Sequence, residues 1–164
     1  MKLTIELVPN GSWFTNLRSA LPATRWNKIR RDCYRKAGYV CEVCGGKGPK
    51  HPVECHEIWH YDDKRKIQRL DGTIALCPAC HEVKHIGLAQ IRGRLYPAVA
   101  HMAKVNGWKG TEGHRRAMEE VSCAFDKWRE RSLHKWEIDI SWLDNTAGVV
   151  VESQASEDSE RGET

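Results

Sequence analysis

Four of the seven cysteines form two C-x-x-C pairs, Cys41 with Cys44 and Cys77 with Cys80. Glycines at positions 45 and 46 follow the first pair and allow the backbone to turn tightly, so that two thiolates three residues apart can bind one ion. Four thiolates together make a tetrahedral site that closes zinc off from water. The sequence therefore predicts a structural zinc ion held by all four residues.

Two histidines follow the second cysteine pair directly, in the stretch CPACHEVKH. His81 and His85 are four residues apart at the start of an expected helix, so their imidazoles lie on one face and can bind one ion. Cys80 and His81 point in different directions, which assigns the cysteines and the histidines to two separate sites. We expect the histidine site to be open and to face the chain segments before the helix.

The 32 residues between the cysteine pairs must position both sites. Residues 51–63, HPVECHEIWHYDD, have the composition of a strand, and residues 66–77, KIQRLDGTIALC, contain a second apolar run. A helix is expected over residues 80–91, with Pro78 near its start. The predicted order is strand, strand, helix, held at both ends by zinc, and the predicted fold class is α+β.

This order of motifs resembles the HNH endonucleases, also called ββα-metal nucleases, in a zinc-bound, phage-type form. The resemblance covers residues 41–85 and implies a ββα-metal core that hydrolyses DNA phosphodiesters. It further implies that a histidine on the first strand deprotonates water. A second divalent ion, Mg²⁺, Mn²⁺, Ni²⁺ or Zn²⁺, would steady the departing 3′-oxygen and the charge on phosphorus.

The stretch ECHE fits the first strand of the family in two registers. If His56 is the base, Cys55 takes the ligand position, where a thiolate suits zinc better than Mg²⁺. If Glu54 is the acidic marker, His56 joins His81 and His85 as a ligand, and Glu57 becomes the base. The second register is slightly favoured because it gives a three-histidine ion with an open position, and His56 belongs to the site in both.

The middle of the motif departs from the family. Nine residues before His81, where the family usually has asparagine, the chain has Gly72. Asp71 or Thr73 is therefore expected to tie the loop between the strands. His60 is a reserve candidate for the base.

The charge distribution favours a polyanionic partner. The last thirteen residues hold five of the 22 acids and one of the 26 lysines and arginines, so residues 1–151 carry an excess of about eight positive charges. We expect DNA as the partner, contacted at its phosphates by basic residues that lie near the site in sequence. These are Lys64, Arg65, Lys66, Arg69, Arg92 and Arg94.

The rest of the chain predicts elements around this core. Residues 1–40 predict a strand and a basic helix, residues 41–92 the zinc-bound core, and residues 93–143 further helices and a final strand. The strand at 2–8 is expected to pair with the strand at 136–143, and one helix is expected from about 113 to 136. Residues 144–164 predict an acidic, disordered tail.

Two of the remaining cysteines are predicted to be core residues. Cys33 lies on the apolar face of the basic helix and Cys123 on that of the long helix, so both are expected to be buried. The sequence shows no long apolar leader or membrane span, so we expect a cytoplasmic protein. In that reducing compartment, seven cysteines are expected to bind metal instead of forming disulfides.

The sequence supports two hypotheses for the function. The first is an HNH-type DNA endonuclease that nicks or cuts both strands. The second is a non-catalytic zinc module that binds DNA or a protein partner. The nuclease needs His56, Glu57, His81 and His85 together, whereas a purely structural module does not. The sequence is compatible with a protein that works as a single chain, as a homodimer or as a subunit of a phage or defence assembly.

Overall fold

The computed structural model describes residues 2–12 and 16–147, and they form an α+β fold with a three-stranded sheet and several helices. The predicted fold class is confirmed at this level. The elements are α1 (Leu17–Ala20), α2 (Ala23–Lys36), β1 (Glu54–Asp62), β2 (Ile67–Leu76), α3 (Pro78–Lys84), α4 (Ile86–Ile91), α5 (Leu95–Val105), α6 (Gly110–Ser132), β3 (Glu137–Asp139) and α7 (Trp142–Ala147).

The sheet has the order β1-β2-β3. β1 and β2 form an antiparallel hairpin from the pair Glu54 and Leu76 to the pair Asp62 and Ile67, with a register shift between Ile58 and Trp59. β3 pairs in parallel with β2. The predicted pairing of the final strand with the N-terminal one is therefore wrong.

The N-terminal segment, residues 2–9, forms no strand. Its backbone bonds go elsewhere: the Leu3 amide donates to the Asn106 side chain at 2.8 Å, and the Glu6 amide donates to the Lys84 carbonyl at 3.2 Å. The alternation of apolar and polar residues predicted extended chain, but the partners that satisfy its amides belong to helical segments. This segment brings the Glu6 carboxylate to His56 of β1.

The two faces of the sheet pack against different helices. One cluster of buried side chains joins Leu3, Ile74 and Leu76 to α3, α5 and α6, and it spans the predicted segments 1–40, 41–92 and 93–143. On the opposite face, Cys55 and Ala75 pack against Cys33 of α2. Successive residues of a strand point to opposite faces, so β1 presents His56 to one side and Cys55 to the other.

The helix ends follow local sequence signals. α3 begins at Pro78, where proline has the right φ and no amide to leave unpaired, and Cys77 precedes it in extended conformation. α2 ends before Gly38, which has a φ of +60°. α6 ends at Ser132 instead of the predicted 136, and the Trp136 indole folds back and donates to the Arg131 carbonyl.

The predictions for two cysteines and for the C-terminal elements are only partly correct. Cys33 is buried as predicted, whereas Cys123 is exposed on α6, so its predicted place in the core is wrong. The last strand covers only Glu137–Asp139, and residues 142–147 form α7. The predicted disorder of residues 144–164 is wrong for residues 144–147, which belong to α7, and residues 148–164 lie outside the described residues.

Candidate metal centres

The four paired cysteines converge on one point. Their sulfur atoms all lie within 4.8 Å of one another, and the Sγ atoms of Cys44 and Cys77 are 3.6 Å apart. Zinc–sulfur bonds of about 2.3 Å in a tetrahedron require sulfur atoms about 3.8 Å apart. The cluster is thus compatible with the predicted structural zinc.

The backbone prepares this cluster for thiolates. Gly45 has a φ of +71°, and its amide donates to the Cys41 carbonyl at 2.8 Å, which closes the turn between the first two cysteines. Burial opposes ionisation of Cys41, but backbone N–H groups of Cys44 and Cys77 favour its thiolate, and the net pKa of Cys41 is lowered. The amide of Gly46 points at Cys44 Sγ from 3.4 Å.

In the second pair burial outweighs such hydrogen bonds, and the pKa of Cys77 is raised although the Cys80 amide donates to its sulfur. Burial raises the pKa of Cys80, and the neighbouring charge of Cys41 raises it further. His101 of α5 places its Nε2 atom 3.2 Å from Cys80 Sγ, where an N–H group can donate to a thiolate. A bound cation reverses the repulsion among the sulfurs and deprotonates coordinating thiols.

Three histidines form a second cluster. His56 comes from β1, His81 comes from α3, and His85 is the residue that follows α3. One ring nitrogen of each lies within 4.8 Å of the other two, and the Nε2 atoms of His81 and His85 are 3.1 Å apart. A tetrahedral ion with bonds of about 2.0–2.1 Å requires nitrogens about 3.3 Å apart, so the three can hold one ion.

A carboxylate orients the ring of His56. Its Nε2 atom lies 3.1 Å from Glu6 Oε2, whereas its Nδ1 atom is buried and has no hydrogen-bond partner among the described residues. Proton donation from Nε2 to Glu6 leaves Nδ1 with a free lone pair. A buried, unpaired nitrogen is costly, and an ion between the histidines would satisfy it.

A second carboxylate orients His81. Glu54 accepts from Nδ1 of His81, and its other oxygen lies 2.6 Å from Nε2 of His51. The hydrogen bond from His81 is the main reason that the pKa of Glu54 falls to about 2. Donation from Nδ1 leaves Nε2 of His81 available as a ligand.

His85 is prepared as a neutral ligand by its surroundings. Burial, followed by the charges of His81 and His56, lowers the pKa of His85 to about 4. Its imidazole is therefore uncharged at neutral pH, which is the state that binds metal ions.

The structure brings neither Cys55 nor Glu57 to the histidines. Both side chains lie on the opposite face of β1, because they flank His56 in the strand. Cys55 is buried beside Cys33, and the hydrogen bond to that thiol raises its pKa. A carboxylate oxygen of Glu57 accepts from the Leu17 amide at 2.8 Å. The predictions of Cys55 as ligand and Glu57 as base therefore fail on geometry.

The predicted phosphate-binding residues are spread over the surface. Lys64, Arg65 and Lys66 form the turn of the β1–β2 hairpin, eight or more residues from His56, or about 25 Å along the strand. Among the described residues, none of these three nor Arg92 forms an ion pair within 4 Å.

The other two predicted cations are neutralised in place. Arg69 pairs with Asp71 at 2.7 Å, and Arg94 makes two hydrogen bonds to Glu82, one at 3.0 Å. The Arg69 pair also occupies Asp71, one of the two residues expected to replace the asparagine of the motif.

Two residues of the site were missed by sequence reasoning. Glu6 lies 50 residues before His56, and its carboxylate also pairs with the amino group of Lys84, which is buried. Lys84 donates in addition to the Thr4 hydroxyl at 2.9 Å. No local pattern signals contacts across such separations.

Comparison with known proteins gives no match to a family model, a curated protein or a solved structure. No helix in residues 2–12 and 16–147 is both long and apolar enough to cross a membrane.

Two glutamates of β1 provide a matched test of this geometry. Glu54→Gln is expected to weaken the affinity of the histidine cluster for Zn²⁺ or Ni²⁺ by about 10- to 100-fold, because the amide no longer holds Nδ1 of His81 as the carboxylate does. Glu57→Gln is expected to leave that affinity within about twofold. Competition titration with a chromophoric chelator measures both, and equal losses in the two variants would contradict the assignment of faces.

Proposed function

We propose that the protein is a metal-dependent, HNH-type endonuclease with a zinc-bound ββα-metal core. The observation that supports this most directly is the convergence of His56 on a strand with His81 on the following helix and His85 just after it, beside a four-cysteine cluster. The chain order, cysteine pair, strand, strand, cysteine pair and helix, is the order that the resemblance to this family requires.

The donor atoms favour particular ions. Three imidazole nitrogens suit Zn²⁺, Ni²⁺ or another transition metal, whereas Mg²⁺ prefers oxygen ligands. The chemistry that such an ion supplies is Lewis-acid chemistry, since it lowers the pKa of water and offsets negative charge on a phosphate. We therefore expect activity with transition metals to exceed activity with Mg²⁺.

The nearby carboxylates orient the histidines instead of taking protons. Hydrogen bonding from His81 lowers the pKa of Glu54 to about 2. Burial disfavours the charged form of Glu6, but hydrogen bonds from His56 and Lys84 outweigh it and lower the pKa of Glu6 as well. Bases with such low pKa values accept protons poorly at neutral pH. In this proposal His56 is a ligand, as in the favoured register, without Glu57 as the base.

The spacing of charges fits a duplex that is contacted at two places. Arg92 follows α4, the short helix after His85, and the turn at Lys64–Lys66 lies about 25 Å from His56. At about 3.4 Å per base pair, that distance corresponds to about seven base pairs of DNA. These cations would position the DNA through its phosphates without reading its sequence.

A plasmid assay tests the proposal. Purified protein with its four-cysteine zinc bound is incubated with supercoiled plasmid and Mg²⁺, Mn²⁺, Ni²⁺ or Zn²⁺. We expect conversion to nicked or linear DNA with at least one transition metal, and loss of conversion on chelation. Binding of DNA without cleavage by any ion would instead support the alternative function, a non-catalytic zinc module.

A further inference from the structure

A groove lies beside the histidine cluster. It has a volume of about 340 Å³ and runs between residues 5–7 of the N-terminal segment, residues 59–61 of β1 and one face of α6. β1 is at the edge of the described sheet, so its outer side faces this groove. The volume lies at the small end of the range of about 300–1,000 Å³ that is typical of small-molecule sites.

The walls of the groove are aromatic. Trp59 and Tyr61 contribute from β1, and Trp128 contributes from α6. The position of Trp128 is fixed, since its indole N–H donates to the Val8 carbonyl at 3.0 Å and Phe125 packs edge-on against it. Rigid aromatic rings are the surfaces on which nucleic-acid bases stack.

Two positively charged residues, Lys127 and Arg131, line the mouth of the groove. Lys127 and His60 are exposed there. Arg131 is held in place: its guanidinium makes two hydrogen bonds of 2.8 Å to Asp63 and lies 4.3 Å from the centre of the Tyr61 ring. Lys127 forms no ion pair within 4 Å among the described residues, although its charge helps to lower the pKa of Asp63, and it places a positive charge next to the stacking surface.

One residue connects the groove to the candidate metal centre. Glu6 lines the groove, and its carboxylate also accepts from His56. A ligand in the groove is thus separated from the histidines by a single side chain. A base that stays stacked and paired in a duplex cannot enter a recess of this size, whereas an extruded or unpaired one can.

We propose that this groove binds one unpaired nucleotide of DNA, with its base against Trp128 and its phosphate at Lys127, next to the phosphodiester that is cleaved. The proposal rests on the proposed nuclease function and narrows its substrate to DNA with an unpaired base near the cut. A fully paired duplex is then the poorer substrate.

Binding is measured first, with three end-labelled duplexes of equal length and no added divalent ion. One is fully paired, one has a single bulged adenine, and one has an abasic residue in place of that adenine. Fluorescence anisotropy is expected to give a Kd about tenfold lower for the bulged adenine than for the other two. Equal Kd values for all three would overturn the proposal.

Two lysine variants identify the groove as the origin of the preference. Lys127→Ala is expected to reduce the advantage of the bulged adenine over the fully paired duplex severalfold, because Lys127 contacts the phosphate of the extruded nucleotide. Lys104→Ala, which deletes an exposed lysine on α5, is expected to preserve it. Both positions are exposed, so neither change disturbs the core. An advantage that survives Lys127→Ala undiminished would overturn the assignment to this groove.

Cleavage of the same duplexes separates this inference from the nuclease proposal. With the most active metal, the bulged adenine is expected to be cut faster than the other two, beside the bulge. Equal cleavage of all three would overturn the groove proposal and leave the nuclease function intact. Preferential binding without any cleavage would overturn the nuclease function and support the groove as the nucleotide site of a binding module.

Discussion

Cys77→Ser is expected to unfold most of the protein at ordinary temperature. Cys77 is buried in the main core cluster, and its sulfur lies 3.6 Å from that of Cys44. Structural zinc contributes about 10–16 kcal/mol in small zinc domains. A native protein has a net stability of only about 5–15 kcal/mol, so weakening this site removes much of it.

Thermal unfolding and zinc content measure this effect, and Cys33 provides the control. Cys33 and Cys77 are each 5% exposed, so the same substitution buries the same hydroxyl in both. Cys33→Ser is expected to cost about 0.5–3 kcal/mol and to retain zinc. If Cys77→Ser loses no more stability than Cys33→Ser and keeps its zinc, the four-cysteine cluster is not a structural metal site.

His81→Ala is expected to abolish DNA cleavage while the chain stays folded and keeps its structural zinc. His81 lies at the partly exposed rim of the histidine cluster, so its removal spares the core, unlike removal of His56, which is 3% exposed. Two imidazoles remain to hold the second ion. We expect the cleavage rate to fall by at least about 100-fold, as it does when one preorganised electrostatic group is lost.

Cleavage rates and bound metal are compared with those of His134→Ala, which deletes an exposed histidine outside both clusters. The control is expected to match the wild type in rate and metal content. Undiminished cleavage by His81→Ala would rule out the histidine cluster as the active site. Loss of both activity and structural zinc would mean that the substitution damaged the fold.

The sequence was sufficient for the residues that local spacing brings together. Two C-x-x-C pairs and an i, i+4 histidine pair have geometry fixed over a few residues, and the structure places each set within reach of one ion. The strand–strand–helix order was also readable, because each element carries its own pattern and Pro78 marks the start of α3.

Strand alternation could have corrected the registers at positions 54–57. Neighbours in a strand point to opposite faces, so a site that contains His56 excludes both Cys55 and Glu57 and includes Glu54. This rule needs no structure.

The remaining errors come from contacts that local sequence does not encode. Glu6 contacts His56 and Lys84, which lie 50 and 78 residues away in sequence. β3 pairs with β2, since the N-terminal segment is bound to helical segments. Nearness in sequence predicted that the basic turn at Lys64–Lys66 lies beside the site. In the structure, the length of the hairpin separates them.

The N-terminal segment imposes an order on the assembly of the two centres during synthesis. Its contacts to Asn106 and Trp128 cross 103 and 120 residues, so at about 5–20 residues per second its partners emerge from the ribosome several seconds or more after it. The four cysteines are all translated by residue 80, well before α6. The cysteine cluster can thus form on the nascent chain before α6 is made, whereas the N-terminal segment that carries Glu6 gains its contacts to Asn106 and Trp128 only later. The segment that orients His56 is therefore fully held in place after the cysteine centre can form.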